Sequence, residues 1–306
     1  MPTFAPIRGL LLNRYLLLQT WVVVCMAIVG CTSQQQTPTQ EQKQQGQAQQ
    51  EQSQPAQTQH VENQQAQDQD EEVQMGQEVF NDLNAKGEII ESSPLYDQLK
   101  PIVDPIARAA QPRYNHPFKF YIVHETQPNA FATPGGNVYV VDSLPYFVKN
   151  KEQLAGTLCH EVSHTIHHDT VELIEKREKI KEREIGAAVL MGPTRAHILA
   201  ILLLGKLHSL GYSRDVESRA DLTGSDICAQ TGSNPWGLVW LMQNFKEANP
   251  NQLPQLLSDH PDDQNRIDAL EQHFRQNPSV FAKFNPDPKS ATPFVVPKNA
   301  QEVFLR

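Results

Sequence analysis

The chain has 306 residues, of which 39% are hydrophobic, and its formal net charge is −9 at pH 7. This length allows one sizeable domain or two small ones. The acidic balance, without a basic patch interleaved with aromatic residues, excludes nucleic acid as the main partner. The four cysteines form no CxxC pair, which argues against a zinc site built from cysteines alone.

The first thirty residues have the pattern of an export signal that is removed from the mature protein. Arg8 and Arg14 give a positive start, and the apolar stretch 15–30 leads directly to Cys31. The sequence Ile-Val-Gly-Cys at this point resembles a bacterial lipobox, which implies cleavage before Cys31 and a lipid on its sulfur. Such a lipid would hold the protein on a membrane surface without spanning it. The alternative is an uncleaved transmembrane anchor, because the apolar stretch is nearly long enough to span a bilayer.

Residues 31–70 are expected to form a disordered tether that begins at the lipidated cysteine. Of these, residues 33–70 contain 18 glutamines and almost no large apolar residue, so they cannot bury enough surface to offset the entropy of ordering. Prolines and scattered acids argue against a glutamine-rich aggregation element. The expected location is the bacterial cell envelope, facing the periplasm. The outer membrane is preferred over the inner one, because Thr32 rather than an aspartate follows the cysteine.

The folded part is expected over residues 71–276 as one domain, mainly helical with a small sheet, which is an α+β fold. Hydrophobic periodicity predicts two helices, a strand and a strand–turn–strand unit in chain order, at 72–86, about 94–110, 118–123 and 129–143. The pattern after this unit is mostly helical. The last segment, 277–306, is rich in proline and is expected to wrap the surface or to be loose.

Residues 158–164, Leu-Cys-His-Glu-Val-Ser-His, carry the clearest chemical pattern. They lie in a helix predicted over 151–169, where residues four apart share one face. His160 and His164 therefore project together and can bind one zinc ion through imidazole nitrogens. Glu161 lies beside them, placed to act as general base on a metal-bound water. For this pattern by itself, the alternative is a pair of histidines on an exposed helix face.

A catalytic zinc site of this kind needs a third protein ligand. The HExxHxxGxxH class is excluded, because its third histidine would stand where Thr170 is. His167 and His168 are predicted to end the helix, because three ligands along one straight helix cannot surround a tetrahedral ion. Glu217, on a second predicted helix, is the better candidate, and Asp221 one turn later can accept the N–H of a ligand histidine. An exposed helix with charges four residues apart is the alternative there.

Four blocks resemble the M48 family of zinc metallopeptidases and occur in that family's order: NAFATPGGNVYV, TLCHEVSHTIHHD, GYSRDVESRADLTG and SDHPDDQNRI. The resemblance implies a zincin-like core with a small sheet, a helix carrying HExxH, and a second helix carrying the glutamate ligand. It implies one Zn²⁺ per chain, held by His160, His164 and Glu217, with Glu161 as the base and Asp221 hydrogen-bonded to a ligand. It also places Asn129, Ala130 and Phe131 beside the cleft, where a strand edge could hold an extended substrate.

His260 has two interpretations. It can simply cap a helix that begins at Pro261 and carries acids in its first turn. In similar proteins the histidine of this block approaches the metal site, where it could bond the developing oxyanion or block the open position of the metal.

Two further features lie around these motifs. The connection 171–211 includes an apolar run at 197–207 that is too short to span a bilayer and is expected to be a buried or cleft-covering helix. Such a helix would suit an enzyme that is latent until needed. Cys159 and Cys228 could pair only if their two helices cross favourably, so separate buried thiols are the default expectation.

The expected function is therefore that of a membrane-anchored zinc metalloendopeptidase. The resemblance and the address suggest misfolded or misassembled envelope proteins as its polypeptide substrates. The alternative is a lipoprotein chaperone or assembly factor whose zinc is latent or structural, although a structural site has no use for Glu161. A membrane-embedded protease is excluded, because the mature chain lacks further apolar spans of about 20 residues.

Overall fold

The computed structural model describes residues 71–176, 211–247, Leu256, His260 and 264–297. These belong to one structural unit, 58–306. The predicted export signal, Cys31, the tether and the apolar run at 197–207 lie outside the described residues, as do residues 261–263 and 298–306.

The chain folds as helices around a small sheet, as predicted. The helices are α1 (71–85), α2 (Pro94–Ala110), α3 (Leu144–Phe147), α4 (Lys151–Ile166), α5 (169–176), α6 (Arg214–Thr231), α7 (Trp236–Glu247), α8 (Gln264–Gln276) and α9 (Pro278–Phe281). The strands are β1 (Ile89–Ile90), β2 (Lys119–Val123), β3 (Ala130–Thr133) and β4 (Asn137–Val141). None of the helices in this part of the chain combines the length and apolar character needed to cross a bilayer.

The sheet has the order β1-β2-β4-β3, with β2 and β4 parallel and the other two pairings antiparallel. The Pro134–Gly136 turn joins β3 to β4, and Gly135 and Gly136 have positive φ angles of 81° and 88° that favour glycine. Among the described residues β3 pairs with β4 alone, so it is an edge strand of the sheet.

Alternate residues of the central strand β4 point to opposite faces of the sheet, and both faces are covered. Val138 and Val140 pack with α2 and α4, whereas Tyr139 and Val141 pack with the apolar side of α1. All five residues of β4 are buried for this reason. The sheet is therefore the middle layer, with the helix that carries HExxH on one face.

Helix α4 is the central helix of the domain, and every residue from Gln153 to Thr165 is buried. It begins at Asn150, whose side-chain oxygen accepts a 2.8 Å hydrogen bond from the backbone N–H of Gln153. The sheet, α2, α6 and α7 surround it. A helix in this position holds its side chains in fixed directions, which is what a metal site requires.

The helix predicted over 151–169 ends earlier, at Ile166. His167 and His168 form a turn, and His168 has a left-handed backbone with φ of 56°. Its ring Nδ1 lies 2.6 Å from Glu72 Oε1, so a long-range contact with α1 holds this uncommon conformation. A second helical segment, α5, then starts at Asp169.

The proline-rich residues up to 297 pack against the domain. Phe281 is buried against Phe274 of α8, and the indole N–H of Trp240 donates a 2.9 Å hydrogen bond to the carbonyl of Pro286. The backbone N–H of Lys151 donates to the carbonyl of Thr292 at 2.9 Å, beside the start of α4.

Candidate metal centre

His160 and His164 project together from α4, as their spacing predicts. Their ring planes are perpendicular, with centroids 4.6 Å apart, and the two Nε2 atoms are 3.0 Å apart. Both side chains are buried. Glu161, the next residue after His160, is buried as well.

Helix α6 brings Glu217 to the same point. Its carboxylate oxygens lie 3.4 Å from His160 Nε2 and 3.8 Å from His164 Nε2. The two helices can approach this closely because residue 224 is glycine. A Cβ atom there would stand 3.0 Å from the backbone nitrogen of His160 and 3.1 Å from the carbonyl of Cys159.

His260 enters the cluster from a third segment. Its Nδ1 lies 2.9 Å from Glu217 Oε1 and 3.2 Å from His160 Nε2, and its Nε2 lies 3.3 Å from Glu161 Oε1. His160, His164, Glu217 and His260 each offer one ligand atom, and these atoms all lie within 4.8 Å of one another. Of the two interpretations of His260, the geometry therefore matches an approach to the metal site.

The donor set fits a metal ion. Both ligand histidines have a carboxylate at Nδ1: Asp221 lies 2.9 Å from His160, and Asp169 lies 2.8 Å from His164. A carboxylate at Nδ1 favours the tautomer with a proton there, which leaves a lone pair on Nε2. The two Nε2 atoms, 3.0 Å apart, are then placed to share a cation, either a proton or a metal ion. The cluster thus presents two imidazole nitrogens and a carboxylate toward one point, a set typical of metal sites.

The pKa values indicate that His160 is protonated on both ring nitrogens and that His164 is neutral. Burial alone would lower the pKa of His160, but Asp221 and Glu217 outweigh it and raise this pKa to about 10. Burial, reinforced by His160, lowers the pKa of His164 well below its usual value. Burial opposes ionisation of Glu217, yet His260 and His160 hold its pKa well below the usual range. A proton and a metal ion would therefore compete for the Nε2 lone pair of His160.

Arg266, the arginine of the SDHPDDQNRI block, makes more contacts with the cluster than the motif alone suggested. It is buried, and its Nε and Nη2 each donate a 2.7 Å hydrogen bond to Asp221. Its Nη1 lies 2.9 Å from Glu217 Oε2 and donates to the carbonyl of His260 at 3.3 Å. One guanidinium therefore contacts three of the predicted site residues.

Asp169 and Tyr212 both contact His164, and neither contact was predicted from the sequence. The ring of Tyr212 stacks on His164 with centroids 4.2 Å apart, and its hydroxyl lies 2.8 Å from Thr170 Oγ1. Both residues stand in the quoted motifs, Asp169 in TLCHEVSHTIHHD and Tyr212 in GYSRDVESRADLTG, which was the available signal.

The remaining predicted residues lie near the centre but outside it. His167 and His168 are not part of the ligand cluster, since His167 contacts Thr223 and His168 contacts Glu72. Ala130 and Phe131 begin the edge strand β3, Asn129 directly precedes it, and α4 packs against this strand. The side-chain oxygen of Asn129 accepts a 2.9 Å hydrogen bond from the N–H of Ala130.

Cys159 and Cys228 are both buried and both free, without a disulfide between them. This agrees with the default expectation of buried thiols that are not joined. Burial raises the pKa of the Cys159 thiol well above its usual value, so it behaves as an apolar residue of the core.

Comparison with known proteins agrees with this geometry. Beta-barrel assembly-enhancing protease of Yersinia pestis is 26% identical over 207 residues, covering 60% of this chain and 43% of that protein. Mitochondrial metalloendopeptidase OMA1 of Saccharomyces cerevisiae is 29% identical over 161 residues, covering 50% of this chain and 46% of that protein. The same enzyme from Schizosaccharomyces pombe is 26% identical over 157 residues, covering 51% of this chain and 46% of that protein. The chain thus spans less than half the length of these relatives.

The family description "Peptidase family M48" matches residues 95–273, which include α4, α6 and His260. The match covers more than half of the chain and both helices that carry the buried His/Glu cluster. The chain belongs to peptidase family M48, whose members are metal-dependent peptidases.

Proposed function

We propose that the protein is a zinc metalloendopeptidase in which His160, His164 and Glu217 hold one Zn²⁺ and Glu161 is the general base. The observation that carries this proposal is the convergence of the two Nε2 atoms and the Glu217 carboxylate, with Glu161 next to His160 on the same rigid helix. Two nitrogen donors and one carboxylate oxygen are a ligand set that suits catalytic zinc and leaves a position for water.

Zinc, when bound, would lower the pKa of its water and polarise the scissile carbonyl. Glu161 accepts the proton of the attacking water and later delivers it to the leaving amine. Asp221 holds the Nδ1 proton of His160, and Arg266 holds Asp221 in place through its two 2.7 Å hydrogen bonds. These residues keep the ligand lone pair aimed at the ion.

His260 has two proposed roles that depend on its position. With Nδ1 at 2.9 Å from Glu217, the imidazole stands among the ligand atoms and closes the side that substrate and water need. Moved outward, it can donate a hydrogen bond to the oxyanion that develops on the substrate. In the first position it keeps the enzyme latent, and in the second it contributes to catalysis.

An extended polypeptide is proposed to bind along β3. One edge of the strand is paired with β4, and α4, the helix that carries His160 and His164, packs against one of its faces. Strand addition at Asn129–Phe131 would hold a substrate by its backbone and would demand little of its sequence. This mode suits substrates that are unfolded.

The proposed location of the protein is the bacterial cell envelope. It rests on the lipobox-like sequence before Cys31 and on the name of the Yersinia pestis relative, which concerns β-barrel assembly. Removal of 1–30, a lipid at Cys31 and a tether over 31–70 would place the domain at 71–276 on the periplasmic side of a membrane, the outer one preferred. Misfolded or misassembled envelope proteins are the substrates proposed for that place, and 277–306 is proposed as the C-terminal extension of the domain.

A chaperone or assembly factor with a latent or structural metal is the second candidate. One observation favours it: His260 supplies a fourth protein donor within 4.8 Å of the others. Four protein ligands are typical of closed, structural sites, whereas catalytic sites keep one position open.

The experiment compares the full chain with Glu161→Gln and His260→Ala, with Glu172→Gln as a matched control on an exposed part of α5. Zinc content and cleavage of an unfolded polypeptide such as casein are measured in each. Glu161→Gln should retain one zinc per chain and lose at least about 100-fold in cleavage rate, because a positioned base contributes roughly 10²–10⁴-fold. The control should match the parent.

His260→Ala separates the two candidate functions. If the parent is latent and this variant cuts casein faster, His260 blocks the site and the protein is a peptidase. If parent and His260→Ala both hold zinc and neither cuts, the peptidase proposal is refuted and the chaperone candidate stands.

A further inference from the structure

Each of the two proposed ligand histidines has a carboxylate near Nδ1, and the contact of His164 with Asp169 has hydrogen-bond geometry. On one side, His160 Nδ1 lies 2.9 Å from Asp221 Oδ1, and Asp221 accepts a hydrogen bond from Arg266 Nε. On the other side, His164 Nδ1 lies 2.8 Å from Asp169 Oδ2, and Asp169 Oδ1 accepts a short hydrogen bond from Arg219 Nη2. Each chain of contacts therefore runs from imidazole to carboxylate to guanidinium.

Asp169 reaches His164 only because the helix stops. In a continuous α-helix, a residue five positions on would point about 140° away from His164 around the axis. The chain instead leaves α4 at Ile166, turns through the left-handed His168, and brings Asp169 back beneath the imidazole. The Asp169 side chain is 0% exposed, so the turn buries a carboxylate against the ligand.

Arg219 comes from the other ligand helix, two residues after Glu217. Its side chain is 42% exposed, yet its guanidinium reaches inward to the buried carboxylate. Burial raises the pKa of Asp169, and Arg219 opposes this shift. An arginine at this place keeps a desolvated carboxylate ionised and oriented, which a buried carboxylate cannot achieve alone.

We propose that Asp169, held by Arg219, is the positioning residue of His164. It fixes the tautomer with the proton on Nδ1 and aims the Nε2 lone pair at the metal, while Arg219 links this support to the helix that carries Glu217. The inference rests on the proposed function, since it takes His164 as a metal ligand. A buried ion pair without such a role would stabilise the fold and leave the affinity for metal unchanged.

The test uses the full chain with Asp169→Ala, Asp169→Asn and Arg219→Gln. The matched control is Asp226→Asn, which breaks another carboxylate–histidine contact, 2.9 Å from His273 Nε2 and remote from the cluster. Zinc affinity is measured by competition with a chromophoric chelator, and the geometry at the ion by the visible spectrum of the Co²⁺-loaded protein. Thermal unfolding of each metal-free variant reports stability separately.

Both Asp169 variants should bind zinc about 10–100-fold more weakly than the parent, the range for loss of a ligand's hydrogen-bonding partner. Their Co²⁺ spectra should shift as well. Arg219→Gln should weaken binding by a smaller factor, and Asp226→Asn should match the parent. If an Asp169 variant does not fold, the partly exposed Arg219 still provides the test.

Zinc affinity within threefold of the parent in a folded Asp169 variant overturns the inference, whatever its stability. If neither Asp169 variant folds, the result for Arg219→Gln decides. A zinc affinity and a Co²⁺ spectrum equal to those of the parent then overturn the inference. These results leave the peptidase proposal intact, because the parent still binds zinc and depends on Glu161. A parent chain that binds no zinc overturns both.

Discussion

Protonation of His160 and binding of a metal ion are competing events at this cluster. The Nε2 atoms of His160 and His164 are 3.0 Å apart, and each ring has a carboxylate at its other nitrogen. The raised pKa of His160, about 10, indicates that its imidazole is protonated on both nitrogens at neutral pH. A metal ion that binds His160 through Nε2 would have to displace this proton.

Zinc binding should consequently release at least one proton. Since the proton must leave His160, the apparent zinc affinity should rise by about tenfold per pH unit between roughly pH 6 and 9. Calorimetric titration in two buffers with different ionisation enthalpies, at one pH, measures the number of protons released.

The control for this prediction is Asp221→Asn, which removes a contact that raises the pKa of His160. Fewer protons should be released by this variant at the same pH. Equal binding heats in both buffers for the parent would contradict the prediction.

Residue identities were predictable where one local rule suffices. His160, Glu161 and His164 follow from helical spacing, and Glu217 with Asp221 repeats that spacing on another helix. Asp169 follows no such rule, because it reaches His164 only through the turn at His168. The ring of His168 in turn contacts Glu72, almost one hundred residues earlier in the chain. Local periodicity contains no information about such a contact.

At the scale of elements, the site depends on the distance between α4 and α6. Gly224 allows that distance, because a Cβ atom added there would stand 3.0 Å from the backbone nitrogen of His160 and 3.1 Å from the carbonyl of Cys159. From the sequence alone, this glycine is predicted only to destabilise its helix by about 1 kcal/mol relative to alanine. Its value for close packing is visible only once the partner helix is known.

Gly224→Ala should therefore destabilise the protein although alanine is the better helix former. The added Cβ must push the two helices apart by a few tenths of an ångström, at a cost of roughly 1–3 kcal/mol. Because Glu217 and His160 lie on these two helices, zinc affinity should fall as well. Urea unfolding and chelator competition measure the two effects.

Gly156→Ala is the matched control for overpacking. A Cβ atom there would meet the backbone nitrogen of Leu238 at 2.9 Å, on the side of α4 that faces α7. It should lower stability while leaving zinc affinity close to that of the parent. A Gly224→Ala variant with unchanged zinc affinity would show that the helix spacing does not set the ligand geometry.

The elements themselves were predicted with varying success for physical reasons. The helices at 72–86 and 94–110 and the strand–turn–strand unit are confirmed, because periodicity and glycine signals mark them locally. The two-residue strand β1 was not predicted, because its existence depends on pairing with Val123 and Ile122. The early end of α4 at Ile166 was missed, since no glycine or proline stands there.

At the scale of the whole molecule, the metal site joins segments that are far apart in the chain. His160 and His164 lie on α4, Glu217 on α6, and His260 on a third segment. An ion at this point would cross-link all of them in the folded state, and the unfolded chain would not hold the ligands together. Binding to the folded state alone stabilises it by mass action.

Removal of zinc should therefore lower the thermal stability of the full chain. With free zinc at about 1,000 times its dissociation constant, the stabilisation is roughly 4 kcal/mol, which corresponds to about 8–16 °C in Tm for a domain of this size. Calorimetric scans of the zinc-loaded protein before and after dialysis against a chelator measure this difference. Glu217→Ala, which lacks one ligand, should show a much smaller response to the same treatment. If the parent keeps its Tm after zinc has been removed, the ion is not a cross-link between these segments, and the buried network of Arg266, Asp221 and Glu217 holds them together without it.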